Sequence, residues 1–230
     1  MTAMRKTVRI LLVLSLALHL SCKNGCDLAD LVQSTCKDHE GTTYPTVIFP
    51  NGSEWMAENL RVASINTTQD TMDYCTSDSL WELSEQAYFT QYDNYTPNET
   101  GYGKLYNYKA ATSEGLCPEG FHVPTAEEWD ELLDCLGGAN DAGAALREAN
   151  FNYWNPVDNI TSTNESLMTI RPGGFRAEDG QFHNQRFFAY FWTSTGEDGQ
   201  AQMRSLHYAS DAVSEFEIST SAGASVRCMR

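Results

Sequence analysis

The clearest pattern in the chain lies between Pro124 and Gly138. There Trp129, Leu132, Leu133 and Leu136 recur at i, i+3, i+4 and i+7, one apolar stripe of a short helix over residues 125–136. Thr125 with Glu128 three residues on makes a capping box, and Gly137-Gly138 supply a left-handed C-cap at no steric cost. Glu127, Glu128, Asp130 and Glu131 put negative charge in the first half, where the helix dipole favours it. The stripe predicts a helix packed on a sheet. Residues 105–113, with Ala110 and Ala111 for close approach, predict an earlier helix, and residues 142–150 a shorter later one. Val47-Ile48-Phe49, the turn Pro50-Asn51-Gly52-Ser53 and the stretch from Glu54 to Glu58 read as a hairpin. Beyond Asn150, turns at Pro172-Gly173-Gly174, Asp179-Gly180 and Asp198-Gly199 divide the chain into short extended pieces. Residues 64–100 show neither period. They are polar and rich in rings (Tyr74, Trp81, Tyr88, Phe89, Tyr92, Tyr95), and read as a long loop of the kind that carries function.

Charge narrows the partners. The chain carries 15 Lys and Arg against 31 Asp and Glu, a net charge of −16. Arg5, Lys6 and Arg9 precede the apolar run from Ile10 to Leu18, which is too short to span a bilayer and reads as a targeting segment over residues 1–21. Removing that segment takes away three basic and no acidic residues, leaving a net charge of −19. Such a surface excludes nucleic acid and anionic head groups as partners, because both are polyanions. The remaining 209 or so residues suit one domain.

Ser21-Cys22 resembles the cleavage and lipidation site of a bacterial lipoprotein, with His19 standing where such signals usually carry Leu. On that reading Cys22 carries lipid and the protein is held in the cell envelope, as an outer-membrane lipoprotein touching the membrane only through its anchor. The alternative is an ordinary secretory signal. Of seven cysteines, six then remain: Cys26, Cys36, Cys75, Cys117, Cys135 and Cys228. An oxidising compartment favours disulfides among them, in any of fifteen connectivities. No CxxC pair or His at ligand spacing suggests a metal, so no metal site and no cofactor is expected. Residues 22–41 read as a Cys-bracketed tether with a helical turn or two around Leu28, Leu31 and Val32, and the domain as residues 42–230.

Seven motifs follow in order: NGSEWMAENL (51–60), YGKLYNYKAA (102–111), CPEGFHVPTAEEWDEL (117–132), AGAALR (142–147), RPGGFR (171–176), FWTST (191–195) and SVRC (225–228). The chain resembles the Fibrobacter succinogenes major paralogous domain family, exported and lipid-anchored proteins of Bacteroidetes and Fibrobacteres. Phe121 stands where that family usually has Trp, and residues 75–100 lack a second cysteine that many members carry. The resemblance implies an α+β, C-type lectin-like fold related to the formylglycine-generating and sulfatase-modifying group. In it two main helices, 105–113 and 125–136, pack on small antiparallel sheets with long loops, and the terminal strand lies beside the first strands. It also implies the fold's shared bridge, Cys117 with Cys228. Cys26 with Cys36, close in sequence, is then a plausible second pair, leaving Cys75 with Cys135 or Cys135 as a buried free thiol.

Three functions fit. One is a non-catalytic binding domain for an envelope or extracellular glycan or protein, with Tyr88, Tyr92, Tyr95, Trp154 and Trp192, and also Phe89, as candidate ligand contacts; rings of this kind otherwise pack in cores. Another is a structural subunit of a surface assembly. The third is an enzyme related to the sulfatase-modifying group, which the sequence disfavours. His122, His183 and His207 fall in no nucleophile or zinc motif, and Cys228 is the one cysteine near the C-terminus. The lectin calcium triplets are absent, and Trp154 to Asn159 has the wrong spacing for them.

Overall fold

The structure, a computed structural model, describes residues 26–67, 71–83 and 86–230; Cys22 and the targeting segment lie outside the described residues. The chain order is β1 (Val32–Lys37), β2 (Thr43–Ile48), β3 (Glu54–Met56), β4 (Met72–Tyr74), α1 (Asp78–Leu83), β5 (Ala87–Thr90), α2 (Asn98–Tyr102), β6 (Leu105–Asn107), α3 (Tyr108–Ala111), α4 (Ala126–Cys135), α5 (Gly143–Leu146), β7 (Phe175–Arg176), β8 (Phe182–His183), β9 (Phe188–Glu197), β10 (Gln200–His207), β11 (Val213–Ser219) and β12 (Gly223–Ala224).

These strands form three sheets, ordered β1-β2-β3, β11-β10-β9 and β4-β5-β6-β12-β7-β8. Only β4 and β5 run parallel among the named pairs. The expected two-helix α+β, C-type lectin-like architecture is therefore corrected: the fold is mostly β, and its helices are short. The correction originates in residues 105–113. Leu105, Tyr106 and Asn107 are all buried, pair on one side with β5 and on the other with β12, and so form an interior strand. Three successive buried residues match helix and interior strand equally well, and only the neighbours decide. Asn107 then ends the strand as an N-cap, its side chain accepting from Ala110 N at 3.0 Å and Tyr88 N at 2.9 Å. Its amide donates to Gln86 O at 2.8 Å, which fixes β6 against β5.

Helix α4 is as the apolar stripe predicts. Thr125 and Glu128 close the capping box, and the Thr125 amide donates to Glu128 Oε2 at 2.8 Å. Trp129, Leu132 and Leu133 are buried; Trp129 meets Trp55 edge-on at 5.0 Å and Phe191 at 5.4 Å. This face joins Trp154, Leu146 and Met168 in one core, and a second core gathers Tyr44, Tyr106, Trp192 and Met203.

The C-terminal segment lies between the two cores. Met229 bridges to both Trp55 and His122, Met56 N donates to Cys228 O at 3.0 Å, and Trp192 N donates to Ser225 O at 3.1 Å. The residues from Cys228 to Arg230, after β12, thus lie beside the first hairpin, and Cys117 is bonded to Cys228 with Cα atoms 5.9 Å apart. The other pairings differ from expectation. Cys26 bonds Cys135, not Cys36, and its amide also donates to Cys135 O at 2.9 Å. Residues 32–37 are extended strand, so Cys36 is carried about 13 Å along β1 from its start and away from Cys26. Cys75 ends β4 in another sheet, buried, and is free, as is Cys36. Burial, with the Glu54 carboxylate next, pushes the Cys36 thiol up to about 11, so it stays protonated at neutral pH.

Two expectations about loops also change. The described part of residues 22–41 pairs β1 with β2 along six residues, so it is built onto the domain and its turn at Leu28–Asp30 leads into a strand. Residues 64–100 hold β4, α1, β5 and α2, because Met72, Trp81, Ala87 and Phe89 are buried.

Candidate functional site

Trp154 and Trp192, expected as ligand contacts, are fully buried. Trp154 Nε1 donates to Ile170 O at 2.9 Å and Trp192 Nε1 to Tyr106 O at 2.7 Å, so both are core rings with their polar tips satisfied. Phe89 is buried too, beneath Tyr74. Tyr88 and Tyr92 are half-buried at the two ends of a stack. Tyr88 lies on Trp81 (6.4 Å), the Arg176 guanidinium sits between Trp81 (4.4 Å) and Phe182 (4.9 Å), and Phe182 packs on Tyr92 (5.4 Å). Tyr95 stands alone at the surface, 59 % exposed. The structure does not gather these three tyrosines into one concavity.

It gathers a different set. Four of the seven motifs meet at a small pocket lined by Glu58, Asn59, Arg61, Gly101, Gly103, Thr169, Arg171 and Arg227, among others. Asn59 organises the floor. Its amide donates to Tyr102 O at 2.8 Å and Ser225 Oγ at 3.2 Å, and its oxygen accepts from Arg227 Nε at 2.8 Å. Gly103 passes so close that a Cβ there would stand 2.6 Å from Asn59 Cβ, and its φ of +77° suits only glycine. Arg227, 1 % exposed, also donates to the carbonyls of Met56, Met168 and Thr169, and no carboxylate pairs with it among the described residues. Burial, and behind it the charge of Arg171, draws the Arg227 guanidinium down to about 9, with Glu58 acting the other way; it stays charged at neutral pH.

Arg171 forms the rim. Its Nη1 donates to Gly101 O at 3.0 Å, and its guanidinium lies 4.2 Å over the Tyr153 ring. Tyr153 is held by Gly101, where a Cβ would meet its Cε1 at 2.7 Å, and stands edge-on to Tyr102 at 5.2 Å. Both tyrosines are half-buried. Burial raises the Tyr102 hydroxyl; Arg186 and Arg171 oppose that shift, while Tyr153 and Glu148 add to it. Glu148 is 7 % exposed, accepts from Asn152 at 3.3 Å on one oxygen, and leaves its buried Oε2 without a partner. Chemically this is a pair of aromatic rings with a guanidinium donor stacked on one of them.

A model of the Fibrobacter succinogenes major domain matches residues 50–230. The chain belongs to that family. No curated protein and no solved structure matches the chain. Asn59, Tyr102, Gly103, Arg171 and Arg227 of this corner fall in four of the motifs that carry the resemblance, whereas Glu148 and Tyr153 fall in none of the seven. Sequence reasoning missed Tyr102, Tyr153, Arg171 and Glu148 because it sought rings in an irregular stretch. The available signal was in motifs such as YGK and RPGG, which place a charged side chain beside a glycine.

Elsewhere, two broader depressions of about 490 and 460 Å³ flank the β9–β10 hairpin and the turn before α4; neither is lined by a tyrosine or tryptophan. The three domain histidines stay apart. His122 bonds Glu128 at 2.9 Å, supporting the capping box, His183 packs on Phe175 at 5.5 Å and His207 on Phe188 at 4.4 Å. Among the described residues, no group of three or more His, Cys, Asp or Glu side chains is set to hold a metal, and no helix is long and apolar enough to cross a membrane.

Proposed function

We propose that this domain is a non-catalytic carbohydrate-recognition module of the cell envelope, exported and anchored through Cys22. The observation that carries the reading is the Tyr102–Tyr153 pair, edge-on at 5.2 Å and backed by the Arg171 guanidinium 4.2 Å over Tyr153. Sugar rings present apolar C–H faces to tyrosine and hydroxyls to planar donors and acceptors, and this corner offers both within one small area. Export is supported by the basic n-region with its short apolar run and by disulfides Cys26–Cys135 and Cys117–Cys228, which belong to an oxidising compartment. Screening the purified protein against immobilised glycans tests the reading. A glycan signal that Tyr102→Ala and Tyr153→Ala both abolish supports it. Capture of a single envelope protein without any glycan signal favours the structural-subunit reading instead. Mass spectrometry of the membrane fraction tests the anchor, where a mature N-terminus other than acylated Cys22 rejects it.

A further inference from the structure

We propose that the ligand of this corner is an acidic sugar, whose carboxylate pairs with Arg171 at the mouth of the pocket that Arg227 floors. The inference rests on the carbohydrate reading and names its ligand class.

Charge supplies the first argument. In a chain of net charge −16, most of the buried cations are neutralised where they sit. Arg147 meets Asp211, Arg176 meets Asp78, and Arg204 meets Asp130 and Glu215, each within 3.0 Å. Arg171 and Arg227 face one pocket, and neither has an ion pair among the described residues. The one carboxylate lining that pocket, Glu58, is engaged by Arg61 at 2.7 Å. Two unneutralised guanidiniums in one place attract an anion from outside the chain.

Donor geometry supplies the second. Arg227 engages four of its five N–H groups on Asn59 and backbone carbonyls, so it contributes mainly field. Arg171 spends only Nη1, on Gly101 O, while its buried Nε has no partner. Its plane is held by the Tyr153 ring at 4.2 Å, so Nη2, which bonds nothing among the described residues, is left as an oriented, charged donor. A carboxylate oxygen is the anionic acceptor that such a charge-assisted donor binds most strongly.

Size supplies the third. The enclosed space is about 10 Å³, room for one water-sized group. A single carboxylate oxygen fits, whereas a sugar ring does not. The ring of a uronate-type residue therefore stays outside, beside Tyr102 and Tyr153.

The test is calorimetric titration of the full mature protein with three acidic oligosaccharides, a trigalacturonate, an alginate and a hyaluronan oligomer, and with the carboxyl-reduced neutral form of each. At least one acidic form is expected to bind tenfold or more tighter than its reduced counterpart. Arg171→Gln is expected to bring that affinity down to the neutral level, with a melting temperature within about 4 °C of the parent, and Arg171→Lys to fall between. Equal binding of acidic and reduced forms overturns the proposal and leaves the carbohydrate reading standing. Binding of none of the six overturns both. An acidic preference that survives Arg171→Gln removes Arg171 from the assignment. A peptide with a free C-terminal carboxylate that binds as tightly as the best uronate, and loses binding on amidation, replaces sugar by peptide as the ligand.

Discussion

Two corners of the molecule hold buried arginine, and they are finished differently. Around Arg176 every demand is met within the chain. Nε donates to Gly180 O, Nη1 to Cys75 O and Nη2 to Asp78, all at 2.7 Å, and Trp81 and Phe182 close over its faces. Around Arg171 and Arg227 the carbonyl partners are present, the ring contact is present, and the carboxylate is missing. A buried charge without its counter-charge is costly unless other dipoles stabilise it; the first corner acts as a structural pin, and the second is the proposed anion-binding site. The difference teaches that recognisable motifs of one family can serve both ends, since RPGGFR supplies Arg171 to one corner and Arg176 to the other.

The largest effect is expected where both corners share support. Gly223 of β12 pairs with Arg176 of β7, and four residues on, Arg227 floors the pocket in the same segment, which Cys228 ties to Cys117. Replacing both cysteines by Ser opens a loop of sequence separation 111. In the chain-entropy model this lowers stability by about 4–5 kcal/mol. Denaturant unfolding measures it, and a loss under about 1 kcal/mol refutes a shared seam.

Next in size, Arg176→Ala strips three acceptors of their donor and empties the space between two rings. The expected cost is about 3 kcal/mol, toward the lower end for a broken buried pair because Asp78 is half exposed. If this variant melts like the parent, the pin interpretation fails.

Arg171→Gln is expected to move stability by less than about 1 kcal/mol, since it removes one bond to Gly101 O and one ring contact at the rim. A loss as large as that of Arg176→Ala would make the two corners alike.

The smallest effect is a pH slope. Burial, then the nearby charge of Arg147, holds His207 below the usual histidine range. The unfolded chain then binds a proton that the folded one refuses. Stability on this account is complete above about pH 6.5 and falls as pH drops from there toward the lowered folded value. His207→Gln is expected to flatten that slope in thermal melts between pH 5 and 7. A profile unchanged by the substitution separates His207 from the Arg147 corner.

What the sequence determined alone was whatever could be read within about ten residues. The α4 helix needs only its stripe, its capping box and the two glycines after it, all local signals that agree, and it formed where they placed it. The family, too, was legible, because its motifs are short and ordered. Tertiary structure decided the rest. Leu105 to Asn107 became an interior strand only because β5 and β12 lie on either side. Cys26 found Cys135 across a sequence separation of 109, and no spacing rule reaches that far. The candidate site depends on Asn59 meeting Arg227 at a separation of 168 and Arg171 meeting Gly101 at a separation of 70. Local propensity acts over a turn or a strand, whereas a site is an agreement among side chains that only the closed chain brings within bonding distance.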